Sequence, residues 1–573
     1  MIAVMKRILS GLIVFLSCFS MYAQKSVLRV HGDAEQLVVD GKPFLVLGGE
    51  LGNSSAACAQ DIEANFAKLH RMGLNTVLVP AYWDLLEPEE GEFDFTLTDK
   101  VLEEARKYDL KVVFLWFGVW KNSMSCYAPL WFKRDYKKYP RACTLEGKPL
   151  EIASVFSENV FNADSRAFRT WLTHIAEVDK DYGTVIMVQI ENEIGMLEDA
   201  RDHSKEADRH FRSQVPEELI SHLQSHKATL HPYMAEKWAA NGNRTKGIWT
   251  EVFGDDIYTE EIFMAWHYAG YVERMAQIAR NVYDVPLYVN AAMNSRGRKP
   301  GEYPSAGPLA HLKDIWYAAA PSIDFLSPDL YDSGFKDWVA QYDLEDNSLF
   351  IPETRHMQNN GVRAFYVFGE HNAIGISPFA IEDGPAEPGT PFVDGYRKLR
   401  EMMPLITEWQ GSDAIWGLLF DQEDKERIIA DGSLTLVCRH NFTLPWDPRA
   451  TDGSVWPEGG GIIIRLAENE YVVAGNGIVV EFARTDGMTC SASVNALGED
   501  GFASAGSNGD VAARKKWKGT RCGLASVDEV NVLPDGSLEY VRRLNGDQSH
   551  QGRHVRISVG DYKVLLVKLY EYQ

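Results

Sequence analysis

Eight short apolar runs alternate with amphipathic stretches between residues 44 and 379, and this alternation constrains the fold more than any other feature. The runs lie near residues 44–49, 74–80, 110–117, 184–190, 286–291, 323–328, 348–352 and 374–379. Helical periodicity fills the intervals, as at 61–72, 97–108, 166–181 and 261–283. Eight strands that alternate with helices predict an α/β fold, a parallel (β/α)8 TIM barrel. An open doubly wound sheet would alternate too, but a glycine-rich phosphate loop does not follow the first strand.

A different pattern begins after residue 410. Short alternating runs separated by Gly, Asp and Asn turns lie near residues 415–420, 434–440, 461–466, 470–474, 477–483 and 564–570. They predict a smaller all-β, sandwich-like domain over 411–573. We expect the catalytic barrel over 24–410, with a short β lead-in before its first strand.

The first 23 residues follow the pattern of a cleavable secretory signal. Lys6 and Arg7 precede an apolar run over residues 8–19, and Ala23 stands at the expected cleavage position. Export to the periplasm or the medium follows from this prediction. The alternative is lipidation of Cys18, which would give an outer-membrane lipoprotein. No later stretch of the sequence is apolar over the length that a bilayer requires.

Charge and cysteine spacing restrict the partners of the chain. The formal net charge is -23, so nucleic acid and anionic membrane surfaces would repel it. Six cysteines remain after the signal, without the spacing of a metal site or of a disulfide framework. Cys126 with Cys143, and Cys490 with Cys522, are the pairs that we consider for disulfides. The oligomeric state is not indicated by the sequence.

The strongest chemical signal lies at the end of the fourth predicted strand. There the apolar run from Thr184 to Val188 leads into Gln189-Ile190-Glu191-Asn192-Glu193. Regular alternation would place Gln189, Glu191 and Glu193 on one side of the strand. Burying several charges together costs free energy unless each is hydrogen-bonded or paired, and catalytic sites accept that cost. The alternative is a solvated corner between strand and helix.

Two glutamates stand at strand ends on opposite sides of the predicted barrel. Glu193 ends the fourth strand and Glu353 ends the seventh. Active sites of TIM barrels lie at the carboxyl ends of the strands. Retaining glycoside hydrolysis needs one protonated and one ionised carboxyl about 5–5.5 Å apart, so this pair predicts that chemistry. Other strand ends also carry polar or aromatic groups: Glu50, Asn53, Tyr82, Trp83, Trp116, Asn290, Asp329, Tyr331 and Ser377.

The stretch Gln189-Ile190-Glu191-Asn192-Glu193-Ile194-Gly195 resembles the fourth-strand signature of glycoside hydrolase family 35, the β-galactosidases. The similarity is greater to a bacterial branch in which a β-rich C-terminal domain follows the barrel. Further matching stretches are Gly48-Gly49-Glu50-Leu51, Gly73-Leu74-Asn75-Thr76-Val77, Trp120-Lys121-Asn122 and Phe368-Gly369-Glu370-His371-Asn372. The chain departs from the commoner branch at Ile194, where that branch has Tyr, and at Leu115-Trp116-Phe117, where it has Ala-Glu-Trp.

The resemblance implies a role for each candidate residue. Glu193 would be the general acid/base and Glu353 the nucleophile. Asn192 would hydrogen-bond the sugar 2-hydroxyl, and Tyr331 would hold the ionised nucleophile. Further sugar contacts are expected from Glu50, Asn122, Glu191 and Trp116. We also expect positive charge from Arg355 and His356 to keep the nucleophile ionised.

The sequence therefore predicts an exported, retaining, exo-acting β-galactosidase. It would remove terminal β-D-galactose from oligosaccharide or polysaccharide side chains, with xyloglucan as a candidate source. Two-carboxylate chemistry needs neither a metal nor another cofactor. A β-glucosidase, β-xylosidase or arabinosidase would use the same two glutamates, and a non-catalytic glycan-binding protein is the further alternative.

Overall fold

The computed structural model describes residues 26–485 and 520–573. The predicted signal, Cys18 and Cys490 lie outside these residues. The described chain begins with a three-stranded antiparallel sheet of β1 (Ser26–His31), β2 (Ala34–Val39) and β3 (Lys42–Pro43). Ser26 Oγ donates to the Ile186 carbonyl at 2.7 Å, and Gln36 Nε2 donates to the Thr407 carbonyl at 2.7 Å. These bonds attach the sheet to the barrel that follows.

Eight parallel strands close into the barrel that the alternation predicts. Together with a short hairpin, β7 and β8, the strands of this region are β4 (Val46–Glu50), β5 (Thr76–Tyr82), β6 (Lys111–Phe117), β7 (Arg141–Cys143), β8 (Pro149–Ala153), β9 (Val185–Gln189), β10 (Leu287–Ala292), β11 (Phe325–Leu330), β12 (Phe350–Thr354) and β13 (Gly375–Pro378). β13 pairs in parallel with β4 and closes the cylinder. Both faces of these strands are buried, which explains their continuous apolar sequences.

Helices surround the barrel and fill the intervals between its strands. They are α1 (Ala59–Met72), α2 (Trp83–Leu86), α3 (Thr96–Lys107), α4 (Leu130–Arg134), α5 (Glu158–Asp179), α6 (Lys205–Phe211), α7 (Glu217–Ser225), α8 (Pro232–Ala240), α9 (Trp249–Phe253), α10 (Ile257–Val282), α11 (Lys313–Ala319), α12 (Phe335–Tyr342), α13 (Asn360–Glu370) and α14 (Pro391–Trp409). Side chains cap the two longest: Ser157 accepts from Val160 N, and Asp256 accepts from Thr259 N. Among the described helices, none has the length and apolar character needed to cross a membrane.

Two antiparallel sheets follow the barrel and pack as a sandwich. Their strands are β14 (Ile415–Phe420), β15 (Glu426–Asp431), β16 (Leu434–His440), β17 (Gly459–Ala467), β18 (Glu470–Asn476), β19 (Ile478–Arg484), β20 (Arg521–Val532), β21 (Leu538–Arg543), β22 (Val555–Ile557) and β23 (Lys563–Tyr572). One sheet has the order β14-β17-β18-β23-β20-β21, and the other β15-β16-β19-β22. The predicted all-β region is therefore present, with strands β15, β20, β21 and β22 in addition to those read from the sequence.

The central strands β17 and β18 of the larger sheet bury both of their faces. Ile463 and Val473 belong to the core between the two sheets, whereas Ile462, Ile464 and Val472 belong to the core of the barrel. This division follows from the alternation of side chains along a strand. Helix α13 lies on the barrel side of the sheet and all its residues from 360 to 369 are buried. The sandwich thus covers the barrel segment that follows the seventh strand.

The cysteines do not form the disulfide considered between Cys126 and Cys143. Both are free thiols, and so are Cys58, Cys438 and Cys522 among the residues that the structure describes. Cys126 is exposed, whereas Cys438 is buried in the sandwich core.

Candidate active site

Four acidic side chains converge at the carboxyl ends of the barrel strands. One carboxylate oxygen from each of Glu193, Asp329 and Glu353 lies within 4.8 Å of the other two. The Glu50 carboxyl contacts that of Glu353 from the end of β4. All four residues are at most 5% exposed. Strands four, six, seven and one of the barrel thus deliver their terminal acids to a single point, as TIM-barrel geometry allows.

Unusual backbone conformations turn the chain where β9 ends. Glu191 has φ 59° and Glu193 has φ 46°, both in the left-handed region that non-glycine residues rarely adopt. The segment after β6 runs beside this turn, because Asn122 N donates to the Asn192 carbonyl at 3.2 Å and Ser123 N donates to the Glu193 carbonyl at 3.1 Å. The pairing of β6 with β9 therefore continues past both strands and fixes the backbone that carries Glu193.

Amide side chains hold Glu193 in place. Asn290, from β10, accepts from the Glu193 backbone N–H at 3.0 Å and donates to Asp329 Oδ2 at 2.6 Å. Asn122, from the segment after β6, donates from Nδ2 to Glu193 Oε2. The Glu193 carboxyl also contacts that of Asp329. The candidate acid/base is consequently fixed by residues from three neighbouring strand ends.

Glu353 has fewer partners than Glu193. The Tyr331 hydroxyl donates to Glu353 Oε1, the contact that the sequence predicts. The second oxygen, Oε2, is buried, and the described part of the protein gives it no hydrogen-bond partner. This oxygen is therefore available for reaction with a bound ligand.

Burial and neighbouring negative charge raise the pKa of three of these acids, Glu193, Glu50 and Asp329. Burial, with the charge of Glu353 as the next cause, raises the pKa of Glu193 to about 7. Burial and the nearby Glu353 also raise the pKa of Glu50 and of Asp329 well above the usual values. Lys121, only 3% exposed, opposes this by lowering the pKa of Glu50 and Glu193. The charge around Glu353 therefore favours the protonated form of its acidic neighbours, and Lys121 opposes this at Glu50 and Glu193.

Several buried polar atoms at this site have no hydrogen-bond partner among the described residues. Both amide atoms of Asn192, Glu50 Oε1 and Glu353 Oε2 have none within residues 26–485 and 520–573. Unsatisfied buried polar groups are rare, because each costs roughly 1–3 kcal/mol. Hydroxyl groups of a sugar would satisfy both donors and acceptors of this kind, and Asn192 offers one of each.

Trp116 and Glu191 require a correction, because neither lies in the mouth of the barrel. Trp116 is fully buried, stacks on Trp171 of α5 and donates from Nε1 to Asp164 at 2.9 Å. Glu191 Oε2 accepts from Trp120 N at 2.7 Å, and its carboxyl contacts Asp164. Regular alternation fails here because the left-handed turn directs Glu191 and Glu193 to different sides. Both residues support the wall of the site from behind.

Arg355 and His356 do not supply the positive charge expected beside Glu353. Arg355 is exposed, and its Nη2 donates to the Tyr331 carbonyl at 2.9 Å. Burial lowers the pKa of His356, whose neighbouring charges are Asp383, Glu382 and Lys68. Lys121 is the cation of the site instead. Its position follows from the turn after β6, which the sequence does not reveal.

The site also contains Asp329, Asn290 and Lys121, for which the sequence predicts no catalytic or sugar-binding role. Asp329 and Asn290 stand at predicted strand ends, which is the signal that could have selected them. The three carboxylate oxygens of Glu193, Asp329 and Glu353 are also spaced as ligands of a hard divalent cation could be. Burial and the neighbouring Glu353 raise the pKa of Glu193 and Asp329, which favours their protonated forms over the ionised forms that a cation would need.

Comparison with known proteins associates the chain with β-galactosidases. The model of glycoside hydrolase family 42, described as "Beta-galactosidase", matches residues 55–239. A second model, described as "Domain of unknown function", matches residues 392–556. A beta-galactosidase of Xanthomonas manihotis is 28% identical over 187 residues, which are 30% of this chain and 27% of that protein. The resemblance to family 35 is therefore not supported, and similarity to bacterial β-galactosidases stands in its place.

Similar solved structures carry the same description. The beta-galactosidase from the psychrophilic Marinomonas ef1 is 13% identical with a TM-score of 0.43, covering 64% of this chain and 60% of that one. The beta-galactosidase from the Antarctic haloarchaeon Halorubrum lacusprofundi is 15% identical with a TM-score of 0.42, covering 62% and 58%. This chain thus spans less than two thirds of either protein and about a quarter of the Xanthomonas enzyme.

Proposed function

We propose that the protein is a retaining glycoside hydrolase that removes terminal β-D-galactose. The observation that carries this proposal is the close approach of Glu193 and Glu353, whose carboxylate oxygens lie within 4.8 Å of each other at two strand ends. Retaining enzymes hold their carboxyls about 5–5.5 Å apart, whereas inverting enzymes need about 6.5–9.5 Å to admit a water molecule. Similarity to β-galactosidases over residues 55–239 supports the choice of sugar.

In the first step Glu353 attacks the anomeric carbon and Glu193 gives its proton to the glycosidic oxygen. The carbon–oxygen bond breaks, the aglycone leaves as an alcohol, and an ester joins the sugar to Glu353. The pKa of about 7 keeps Glu193 protonated at mildly acidic pH, as this step requires. Tyr331 and Lys121 stabilise negative charge around the nucleophile and its neighbours.

In the second step Glu193 takes a proton from water, which attacks the anomeric carbon and releases the ester. Formation of the ester removes the negative charge of Glu353, the second cause of the raised pKa of Glu193. The pKa of Glu193 therefore falls after the first step, and its ionised form becomes a base. One residue can thus act first as acid and then as base.

The substrate is proposed to be a galactosylated side chain of an oligosaccharide or polysaccharide, with xyloglucan as the candidate source. The secretory pattern of residues 1–23 supports a periplasmic or extracellular location, with Cys18 lipidation as the alternative. Asn192 is the proposed partner of the sugar 2-hydroxyl, since both atoms of its amide are unpaired among the described residues. Glu50 is proposed to bind a further hydroxyl.

Specificity for a sugar other than galactose is the competing hypothesis. Trp116, expected at the sugar, lies behind the wall of the site, so the galactose contacts implied by the resemblance are incomplete. A β-glucosidase, β-xylosidase or arabinosidase would use the same two carboxyls.

Hydrolysis of a panel of aryl β-glycosides tests the proposal. The protein without residues 1–23 should release phenol from the galactoside, and Glu353→Gln should abolish the release. Release from another sugar would keep the mechanism and overturn the substrate. If neither the panel nor a galactosylated oligosaccharide is cleaved, the proposed function is wrong and a glycan-binding protein is favoured.

A further inference from the structure

The loop that follows the nucleophile strand lies between the barrel and the sandwich. It covers residues 355–359, between Glu353 on β12 and the start of α13 at Asn360. Glu458, from the sandwich side of this boundary, accepts from Asn359 Nδ2 at the end of the loop. It also accepts two bonds from Arg363, from Nε at 2.8 Å and from Nη2 at 2.7 Å. Paired bonds of this kind fix orientation as well as distance.

Glu458 is itself held firmly by the sandwich. It directly precedes β17, and Trp456, two residues earlier, stacks on His440 with ring centroids 4.9 Å apart. His440 Nε2 and the Pro457 carbonyl are joined by a 2.9 Å hydrogen bond, and His440 is fully buried. The carboxylate is therefore presented to the barrel from a rigid support.

Two chains of contacts lead from Glu458 toward Tyr331. Asn360 Nδ2 donates to the Arg355 carbonyl at 3.2 Å, and Arg355 Nη2 donates to the Tyr331 carbonyl at 2.9 Å. By the second route, the Arg363 guanidinium lies 4.6 Å from the ring centre of Phe335, which begins α12 four residues after Tyr331. The first route ends at Tyr331, whose hydroxyl donates to Glu353, and the second ends at Phe335, on the chain segment that follows Tyr331.

We propose that Glu458 is a positioning residue for the nucleophile: it clamps residues 355–363 and thereby fixes Tyr331 against Glu353. This inference rests on the proposed role of Glu353. It assigns a function, completion of the barrel's active site, to part of residues 392–556, which match a domain of unknown function. The sandwich then acts on catalysis without touching the sugar.

The chain provides a matched control at the other end of the same helix. Arg427 of β15 donates to Glu370, the last residue of α13, at 2.6 Å. This ion pair also joins the sandwich to α13, but it lies where the helix ends, on the side of the barrel away from the strand carboxyl ends. Arg427→Met therefore removes a second ion pair between the sandwich and α13, together with a 2.6 Å bond to the Gly417 carbonyl, without touching the loop at residues 355–359.

The experiment compares Glu458→Gln with Arg427→Met in two measurements. Glu458→Gln should lower kcat about tenfold while KM for an aryl β-galactoside changes less than about twofold, because the sugar contacts remain. Amide hydrogen exchange should quicken in residues 355–363 only. Arg427→Met should keep kcat and the exchange of this segment, even where its Tm falls.

Either of two results would overturn the proposed positioning role of Glu458. One is unchanged exchange at residues 355–363 in Glu458→Gln. The other is an equal effect on kcat and exchange in Arg427→Met, which would indicate general loosening of the boundary. If the wild-type protein cleaves no glycoside, the proposed function fails, and hydrogen exchange alone still decides whether Glu458 holds the loop.

Discussion

Buried acids at the two ends of the barrel have opposite surroundings. Asp179, at the amino end, accepts from Arg106 at 2.8 Å, from Tyr283 at 2.9 Å, and from two backbone N–H groups at 3.0 Å each. At the carboxyl end, Glu193 and Glu353 face each other and further acids, with Lys121 as the nearby cation. Removing one partner of a buried, fully hydrogen-bonded charge destabilises a fold, whereas acids that oppose each other shift pKa values toward those that catalysis needs.

Removing Glu193 or Glu353 at the carboxyl end of the barrel should therefore destroy activity without loss of stability. We expect Glu353→Gln and Glu193→Gln to lower kcat/KM by roughly 10²–10⁴ or more, the usual range for positioned acid–base groups. Tm should stay constant or rise at pH 8, because the folded-state pKa of Glu193 lies near 7 and its ionised form is unfavourable above that pH. Steady-state kinetics and thermal unfolding measure both. A large fall in Tm would show that these acids stabilise the fold as Asp179 does, which would contradict the difference between the two ends of the barrel.

Asp179→Ala should give the opposite result. Arg106 would lose its partner and two buried backbone N–H groups would lose their acceptor, so we expect the free energy of unfolding to fall by roughly 3–5 kcal/mol. The kcat/KM of the folded protein should stay within about threefold of wild type. Urea unfolding and kinetics at low temperature separate these quantities. Asp99→Ala, at an exposed pair with His174, is the control and should cost under about 1 kcal/mol.

Tyr331→Phe should produce a smaller loss of activity. It removes the hydroxyl that donates to Glu353 and keeps the ring, so kcat/KM should fall by about 10–100-fold, the effect of a hydrogen bond to a charged group. Because Tyr331 is 36% exposed, stability should hardly change. The variant's kinetics at several pH values measure the effect, and full activity would show that the contact has no role in catalysis.

The pH dependence of kcat/KM tests the effect of Lys121 on the pKa of Glu193, which is the smallest of the expected effects. Activity should decline as pH rises through about 7, because Glu193 must be protonated in the first step. Lys121 favours the ionised form of Glu193 and lowers its pKa. Lys121→Met should consequently move the alkaline limb of kcat/KM to higher pH. A limb that stays in place, or moves down, would show that Lys121 does not act on the acid.

The sequence was most informative where local pattern and fold agree. The strand beginning near residue 348 and ending at Glu353 was predictable from an apolar run, and the barrel rule then placed Glu353 opposite Glu193. The sandwich strands with clear alternation, such as β14 and β16, were also predictable. Polar or irregular strands such as β21, whose residues are mostly exposed, carry no such pattern.

Side-chain direction at the site could not be predicted. The sequence predicts Glu191 at the sugar, but the left-handed turns at Glu191 and Glu193 redirect the chain after β9. Such conformations are imposed by surrounding contacts and oppose local preference. Trp116, also predicted at the sugar, instead packs from β6 against Trp171 of α5. Lys121 and Glu458 illustrate the same limit, because their roles arise from contacts with residues more than 70 positions away.

The assignment of Glu193 and Glu353 to their two roles is tested most directly by azide rescue. Azide can replace the nucleophile in Glu353→Ala, and it can attack the glycosyl ester in Glu193→Ala. The proton NMR spectrum of the products identifies their anomeric form. We expect α-galactosyl azide from Glu353→Ala and β-galactosyl azide from Glu193→Ala. The reverse pattern would exchange the two roles, and β-azide from both would require another nucleophile, such as the neighbouring Asp329.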